Sequence, residues 1–184
     1  MSTSKANISS QGRFRVYEAG NKKKWINLLS FSDRSTTLDW AKMLEKNSLI
    51  IEVGAEDGKA TIPLSMFHAH KVIAIEPNIY SHVALLNNLE LNNIGSDKVE
   101  PLNIAISTQY SNKYQKVYLS SNSFCATEED QNESIEENSE RNEQTRYQFA
   151  YHASLASIVK QSAQSHSGPI HLKINNKRSA TDIC

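Results

Sequence analysis

The chain has 184 residues, a length that favours one domain and allows a hydrophobic core to be buried. Hydrophobic residues make up 39% of the chain and charged residues 22%, and 20 basic residues cancel 20 acidic ones. This balance predicts no nucleic-acid or membrane partner, and no apolar run approaches the roughly 20 residues of a membrane span.

The two cysteines and the first residues of the chain predict the cellular compartment of the protein. Cys125 and Cys184 lie far apart and fit neither a disulfide framework nor a metal quartet. Residues 1–7 lack the apolar core of a signal peptide. His166 and His171 give no pattern typical of a metal site, since single histidines are usually surface or core residues. We therefore expect a cytoplasmic protein with reduced thiols and no metal.

The first part of the chain leads from polar sequence into a buried strand. Residues 1–24 are polar, show little periodicity and are predicted to be a flexible N-terminal segment. Apolar residues three to four apart predict a helix over residues 33–46. Residues 48–53 form a short continuous apolar run, typical of a strand covered on both faces. A tight turn over residues 54–58 and a helix over residues 59–68 follow.

The same alternation then repeats. Residues 72–76 are predicted to be a second buried strand, and residues 99–106 a third. Between them Pro77 opens a helix whose predicted apolar stripe is Ile79, Val83, Leu86 and Leu89. Strands that alternate with helices are typical of a parallel sheet with helices on both faces. Residues 25–184 are therefore expected to form one α/β, Rossmann-like three-layer sandwich.

The second half of the chain is less regular. Residues 116–119 are predicted to be a short strand. Residues 127–146 are polar and acidic, with Ile135 as the only strong apolar residue, and are predicted to be a disordered loop. A helix over residues 154–163 and a strand over residues 170–174 complete the expected elements.

Two features of the sequence lie where the first two strands end. Ligands of open parallel sheets bind beyond the carboxyl ends of the strands. At the first strand, Gly54 and Gly58 allow a sharp turn and a close approach of backbone to ligand. Glu76 ends the second strand, 24 positions after Glu52, where an acid can accept hydrogen bonds from both ribose hydroxyls of an adenosine.

The charge of this turn discriminates between adenosine ligands. A dinucleotide fingerprint beginning at Gly54 needs glycines where Glu56 and Lys59 stand, and the Gly-Lys-Ser/Thr ending of a P-loop is absent. A phosphate would also meet Glu52, Glu56 and Asp57, and like charges at short range repel. S-adenosylmethionine has no phosphate and carries sulfonium and ammonium cations, so the acidic turn favours it.

Each feature also has a purely structural explanation. A Gly-x-x-x-Gly turn between a strand and a helix is common, and Glu76 could simply be a polar residue before a proline turn. Their joint occurrence at neighbouring strand ends favours the functional interpretation.

Four segments resemble the FkbM family of S-adenosylmethionine-dependent methyltransferases. They are Ile51-Glu52-Val53-Gly54-Ala55-Glu56-Asp57-Gly58, Ala74-Ile75-Glu76-Pro77-Asn78, residues 85–92 and Asn103-Ile104-Ala105-Ile106-Ser107. The resemblance covers residues 48–107 and resumes weakly at residues 154–175. It implies a Rossmann-like methyltransferase fold and transfer of a methyl group to a hydroxyl of a sugar or natural product, with a small molecule or carbohydrate as acceptor.

The resemblance also implies a set of cofactor-binding residues. The methionine part of the cofactor would contact the turn and the ribose would contact Glu76, with Pro77 and Asn78 beside it. The adenine would lie near Asn103 and Ala105. The turn residues implied are Gly54, Ala55, Glu56 and Gly58, to which the charge pattern adds Glu52. The family commonly has Asn where Glu56 stands.

The later motifs depart from the family pattern. Ala156 stands where the family usually has Asp, and Asn175 replaces the acid at the end of the fourth strand. Asn175 cannot take a proton, so no catalytic residue is assigned. A full methyltransferase continues with a helix and further strands beyond Cys184, so the strand at residues 170–174 is expected to be an exposed edge able to self-associate. Two alternatives therefore stay open, namely a non-catalytic cofactor-binding remnant and an interaction module.

Overall fold

A computed structural model describes residues 13–18, 22–27, 41–67, 69–107, 112–119, 125–126 and 146–174. Its strands are β1 Arg13–Glu18, β2 Lys22–Asn27, β3 Ser48–Val53, β4 Ala69–Ile75, β5 Val99–Leu102, β6 Ile104–Ile106, β7 Lys113–Leu119, β8 Cys125–Ala126, β9 Arg146–Ala153 and β10 Ile170–Ile174. Its helices are α1 Thr61–Met66, α2 Ile79–Leu91 and α3 Leu155–Ser165. Residues 41–43 are also helical.

The centre of the fold is a parallel sheet with the strand order β10-β3-β4-β5. Strand β3 is buried along its whole length, as its continuous apolar run predicts. On one face of the sheet, Ile50 and Ala74 pack with α1 and α2; on the other, Ile51 and Ile75 pack with α3. The predicted α/β three-layer sandwich with a parallel sheet and helices on both faces is confirmed.

The winding direction of this sheet reverses beside β3, because β4 lies on one side of β3 and β10 on the other. The carboxyl end of β3 therefore opens onto the crevice where ligands of such sheets bind. Among the described strands, β10 lies at one edge of this sheet and β5 at the other.

A second sheet has the order β6-β9-β7-β8, and the chain passes into it at Asn103. The prediction of one strand over residues 99–106 was therefore wrong: β5 pairs with β4, whereas β6 pairs with β9. Strand β9 was not predicted, and its first residue, Arg146, had been placed in the acidic loop. The rest of that loop lies outside the described residues, as does most of the predicted helix over residues 33–46.

Two further predictions need correction. Residues 13–18 and 22–24 of the segment predicted to be flexible lie in strands β1 and β2, which pair antiparallel; Phe14, Val16 and Tyr17 are residue types that favour strands. Residues 1–12 and 19–21 lie outside the described residues. Of the predicted stripe of α2, Leu89 is buried as expected and the other three residues are not. Ile79, Val83 and Leu86 are exposed, and the residues of α2 that are buried are His82, Leu85, Asn88 and Leu89.

Candidate functional site

The turn after β3 folds against the tip of β4. The N–H groups of Gly54 and Ala55 both donate to the carbonyl of Ile75, at 2.9 and 3.0 Å. Gly54 and Gly58 have φ values of 80° and 85°, a region that L side chains rarely adopt. A Cβ on Gly58 would also lie 2.6 Å from Cδ1 of Leu85. Both glycines are therefore required by the backbone.

Glu56 is the third residue of the turn in the left-handed region, with φ of 51°. For a residue with a Cβ this conformation is uncommon and costs free energy, and Asn tolerates it better than Glu. The N–H of Glu56 donates to Oε2 of Glu76 at 2.8 Å. The two features that the sequence placed at neighbouring strand ends are therefore in direct contact.

Glu76 is buried, with 4% of its surface exposed, one residue beyond the end of β4. Its second oxygen, Oε1, accepts the N–H of Asn78 at 2.8 Å. Burial raises the pKa of Glu76 to about 7; the two backbone N–H donors oppose this shift, and the charges of Glu56 and Asp57 add to it. A cation placed here would favour the ionised form of Glu76.

Asn78 has a structural function that the sequence analysis did not assign. It is the N-cap of α2, and its Oδ1 accepts the N–H groups of Tyr80 at 2.9 Å and Ser81 at 3.4 Å. Its own N–H holds Glu76. Asn78 therefore sets the direction in which the Glu76 carboxylate lies.

Asn103 and Gln148 anchor the segment between β4 and α2 from the second sheet. Nδ2 of Asn103 donates to the carbonyls of Glu76 at 2.8 Å and Pro77 at 2.9 Å. Gln148 donates its side-chain N–H to the carbonyl of Pro77 and accepts the N–H of Ile79 at 2.9 Å. Sequence reasoning missed Gln148 because it missed β9; the alternation of aromatic residues at positions 147, 149 and 151 is the period-2 pattern that could have predicted this strand.

Two residues predicted to bind the cofactor are engaged elsewhere. Glu52 is fully buried and faces α1, where Oε2 accepts the hydroxyl of Thr61 at 2.6 Å and Oε1 pairs with Nζ of Lys173 at 2.8 Å. Ala105 is buried in a small core with Val117 and Ala150. Alternation along β3 turns Glu52 to the face of the sheet that α1 covers, and Ala105 lies in β6 of the second sheet, so cofactor contact by these two residues stays a prediction.

The charge around the turn is net negative. Asp57 pairs with Nζ of Lys59 at 2.6 Å, and its carbonyl accepts Nδ2 of Asn88 at 2.7 Å. Glu56 and Glu76 add two further carboxyl groups within this turn and the adjoining strand tip. Three acids thus face one lysine, which favours a cationic ligand over a phosphate.

Of the segments that correspond to the later FkbM motifs, the structure describes the residues up to 174. Ala156 is exposed in the first turn of α3. Asn175 lies outside the described residues. Within the described part of the chain, no cluster of three or more potential ligand side chains could hold a metal ion. No helix there has the length and hydrophobicity needed to cross a bilayer.

Comparison with known proteins yields only distant structural neighbours. No family model and no curated protein matches the chain. The Methanocaldococcus jannaschii tRNA m1G37 methyltransferase is 20% identical over 52% of this chain and 32% of that protein, with a TM-score of 0.36. Pyrococcus horikoshii TYW2, solved with MeSAdo, is 24% identical over 50% of this chain and 36% of that protein, with a TM-score of 0.35.

A third neighbour, M. jannaschii TYW2 solved with AdoMet, is 16% identical over 60% of this chain and 64% of that protein, with a TM-score of 0.36. The chain thus spans about a third of the length of the first two neighbours and less than two thirds of the third. Similarity at this level assigns no function to the chain.

Proposed function

We propose that the carboxyl edge of the parallel sheet binds S-adenosylmethionine and that the chain is a methyltransferase domain. The observation that carries this proposal is the 2.8 Å hydrogen bond from the N–H of Glu56 to Oε2 of Glu76. This bond joins the glycine turn and the acid of the neighbouring strand into one site at the switch point of the sheet.

The chemistry of the donors and acceptors fits this cofactor. The turn presents three carboxyl groups and one ammonium group, and S-adenosylmethionine carries two cationic groups and no phosphate. Each carboxylate oxygen of Glu76 accepts one backbone N–H and keeps a second lone pair for a ribose hydroxyl. Gly54 leaves the first residue of the turn without a Cβ, while the missing Cβ of Gly58 makes room for Leu85 beneath the turn.

The remaining predicted contacts divide into binding and positioning residues. Ala55 and Glu56 would contact the methionine part through the turn backbone, and Pro77 would lie beside the ribose. Asn78 and Asn103 would act on Glu76 and Pro77 rather than on the cofactor, since their side chains are used within the protein. For Glu52 and Ala105, contact with the cofactor stays a prediction.

For the reaction itself we propose O-methylation of a hydroxyl in a sugar or natural product, as the FkbM resemblance implies. When bound, S-adenosylmethionine supplies an electrophilic methyl group. The chain would then contribute mainly by holding donor and acceptor in line, because positioning alone can supply much of the rate gain. No base is assigned to any residue.

Titration calorimetry of the full chain with S-adenosylmethionine tests the binding site. We expect saturable heat with S-adenosylmethionine and none with NAD or ATP. Glu76→Ala should remove most of the binding, while Glu90→Ala, an exposed acid at the far end of α2, should leave it unchanged. Absence of heat from well-folded protein, or equal affinity of the Glu76→Ala variant, would contradict the proposal.

A second candidate is a cofactor-binding domain without catalysis, favoured by Ala156 in place of the family's Asp. It predicts normal binding of S-adenosylmethionine but no transfer of a labelled methyl group to a panel of sugar hydroxyls. Transfer to any acceptor in that panel would exclude it.

A further inference from the structure

The second sheet carries a cluster of aromatic side chains on one face of β7 and β9. Antiparallel pairing places Tyr114 opposite Tyr151, Lys116 opposite Phe149 and Tyr118 opposite Tyr147. Directly paired residues share a face of a sheet. The aromatic platform is defined here as these six residues: Tyr114, Lys116, Tyr118, Tyr147, Phe149 and Tyr151.

The aromatic platform is exposed although it is rich in large apolar groups. Tyr114, Phe149 and Tyr147 are 69%, 61% and 53% exposed. The opposite face of the same two strands provides the core, with Val117 and Ala150 buried. Aromatic residues are common in strands because they fit a half-buried surface, but a contiguous exposed group of this kind marks an interaction site.

The rings contact one another edge to face instead of packing under other elements. The ring centroids of Tyr147 and Phe149 lie 6.0 Å apart, with an angle of 89° between the rings, and those of Tyr114 and Tyr151 lie 5.5 Å apart at 71°. Nζ of Lys116 lies 5.1 Å from the centre of the Tyr147 ring. The aromatic platform therefore offers ring faces next to a cation.

The charge of these two strands has one sign. Strands β7 and β9 contain Lys113, Lys116 and Arg146 but no Asp or Glu. Lys116 lies on the aromatic platform and is exposed, whereas Lys113 and Arg146 pair with His152 and Leu119 on the opposite face. The balanced charge of the whole chain, which predicted no nucleic-acid partner, therefore conceals a local excess of positive charge.

We propose that the aromatic platform binds single-stranded nucleic acid, with bases stacked on the exposed rings and a phosphate near Lys116. Single strands are bound in this way because every base has a π-face and every linkage carries a negative charge. Charge complementarity favours this partner over a neutral glycan, since the six residues of the aromatic platform include the cation of Lys116 and no carboxylate.

This inference is independent of the proposed cofactor site. Gln148, which reaches Pro77 and Ile79, lies on the face of β9 opposite to Tyr147 and Phe149. Substitutions on the aromatic platform can therefore be made without removing a contact to the candidate cofactor site.

Fluorescence anisotropy with a labelled oligouridine of about 12 nucleotides, within the usual size of a single-stranded site, tests the proposal on the full chain. Loss of one stacking ring costs binding roughly tenfold. We expect Tyr147→Ala and Phe149→Ala each to weaken binding by about this factor, and Lys116→Gln to reduce its salt dependence. Phe67→Ala, an exposed aromatic residue outside the platform, should change binding less than about twofold. Circular dichroism of each variant checks the fold.

Three results would overturn the proposal. One is the absence of binding by intact, folded chain. Another is binding that heparin abolishes and that the aromatic substitutions leave unchanged, since this indicates charge alone. The third is occupation of the aromatic platform by protein, in the absence of oligonucleotide binding. A second copy of the chain on the platform would give a dimer in sedimentation that Phe149→Ala dissociates. The chain's own acidic residues 128–143 on the platform would be cleaved faster by a protease in the Tyr147→Ala variant.

Discussion

The two sheets differ in how they are covered, and this difference separates their expected functions. The parallel sheet has helices on both faces, and the polar groups at its carboxyl edge are joined into a hydrogen-bonded network around Glu76. The second sheet has a small core of Ala105, Val117 and Ala150 and leaves Tyr147 and Phe149 largely in solvent. A covered sheet preorganises a small polar site, whereas an uncovered face presents area to a larger partner.

The two sheets meet at the segment that follows β4. Asn103, at the break between β5 and β6, and Gln148 on β9 both bind the carbonyl of Pro77. The position of the candidate cofactor site is therefore coupled to the second sheet. Substitutions can test how far the stability of the two regions differs.

The largest effect is expected at the buried ion pair between β3 and β10. Lys173→Met would leave the fully buried Glu52 without its cation, and we expect a loss of about 3 to 5 kcal/mol in unfolding free energy. Denaturant unfolding measures it. The double variant Glu52→Gln/Lys173→Met should recover much of the loss, because no uncompensated charge stays buried. A single-variant loss below about 1 kcal/mol would contradict the burial of this pair.

The pH dependence of stability should carry the signature of Glu76. Folded Glu76 holds its proton to about pH 7, against an ordinary value of 4.5, so between these values the folded state binds more protons than the unfolded state. The contribution of Glu76 is therefore fully present below about pH 4.5 and is lost as the pH rises through about 7, by about 3 kcal/mol in total.

Unfolding in urea at several pH values measures this dependence. Glu76→Gln should unfold with a flatter pH profile than the unsubstituted chain, whereas Glu90→Gln should keep the original profile. Identical profiles for Glu76→Gln and the original chain would show that Glu76 titrates at its ordinary pKa.

Gly58→Ala tests the backbone of the turn. The added Cβ would overlap Leu85 and hold a strained φ of 85°, so we expect a loss of about 2 kcal/mol. Gly95→Ala is the matched control, because its added Cβ would meet only the flexible side chain of Asp97. Thermal unfolding of both variants gives the comparison. Equal Tm values for the two would indicate that the turn tolerates a side chain at position 58.

Asn103→Ala tests the junction of the two sheets. It removes two hydrogen bonds to the carbonyls of Glu76 and Pro77, for an expected loss of about 1 to 2 kcal/mol. Relative to the original chain, hydrogen exchange in the variant should accelerate more at the N-terminus of α2 than in the middle of β3. Tyr147→Ala, on the exposed face, should change unfolding free energy by no more than about 0.5 kcal/mol.

The smallest effect is a gain. Glu56→Asn places a residue that tolerates the left-handed region at φ of 51°, and we expect about 0.5 kcal/mol of stabilisation. The same substitution removes a charge that raises the pKa of Glu76, so this pKa should fall. NMR titration of the Glu76 carboxyl measures the shift, and an unchanged or higher value would contradict the electrostatic coupling.

The parallel half of the fold was predictable because its signals are local. Strand β3 follows from a short continuous apolar run, β10 follows from apolar residues at alternate positions, and the turn follows from Gly54 and Gly58. The second sheet was mostly missed. Strand β9 begins at Arg146 directly after an acidic stretch, and its aromatic residues occupy only alternate positions, so the segment has no continuous apolar run. The stripe of α2 was misplaced because Ile79, Val83 and Leu86 satisfy helical spacing equally well on the wrong face.

The sequence by itself determined the alternation of strands and helices, the glycine turn and the position of Glu76 at a strand end, because each depends on residues close together in the chain. Only the tertiary structure decided which acids face the crevice. Glu52 and Glu76 both follow apolar runs, yet Glu52 pairs with Lys173, a residue 121 positions away, while Glu76 meets the turn. The partner of a buried charge is set by strand order and register, and neither can be inferred from local sequence.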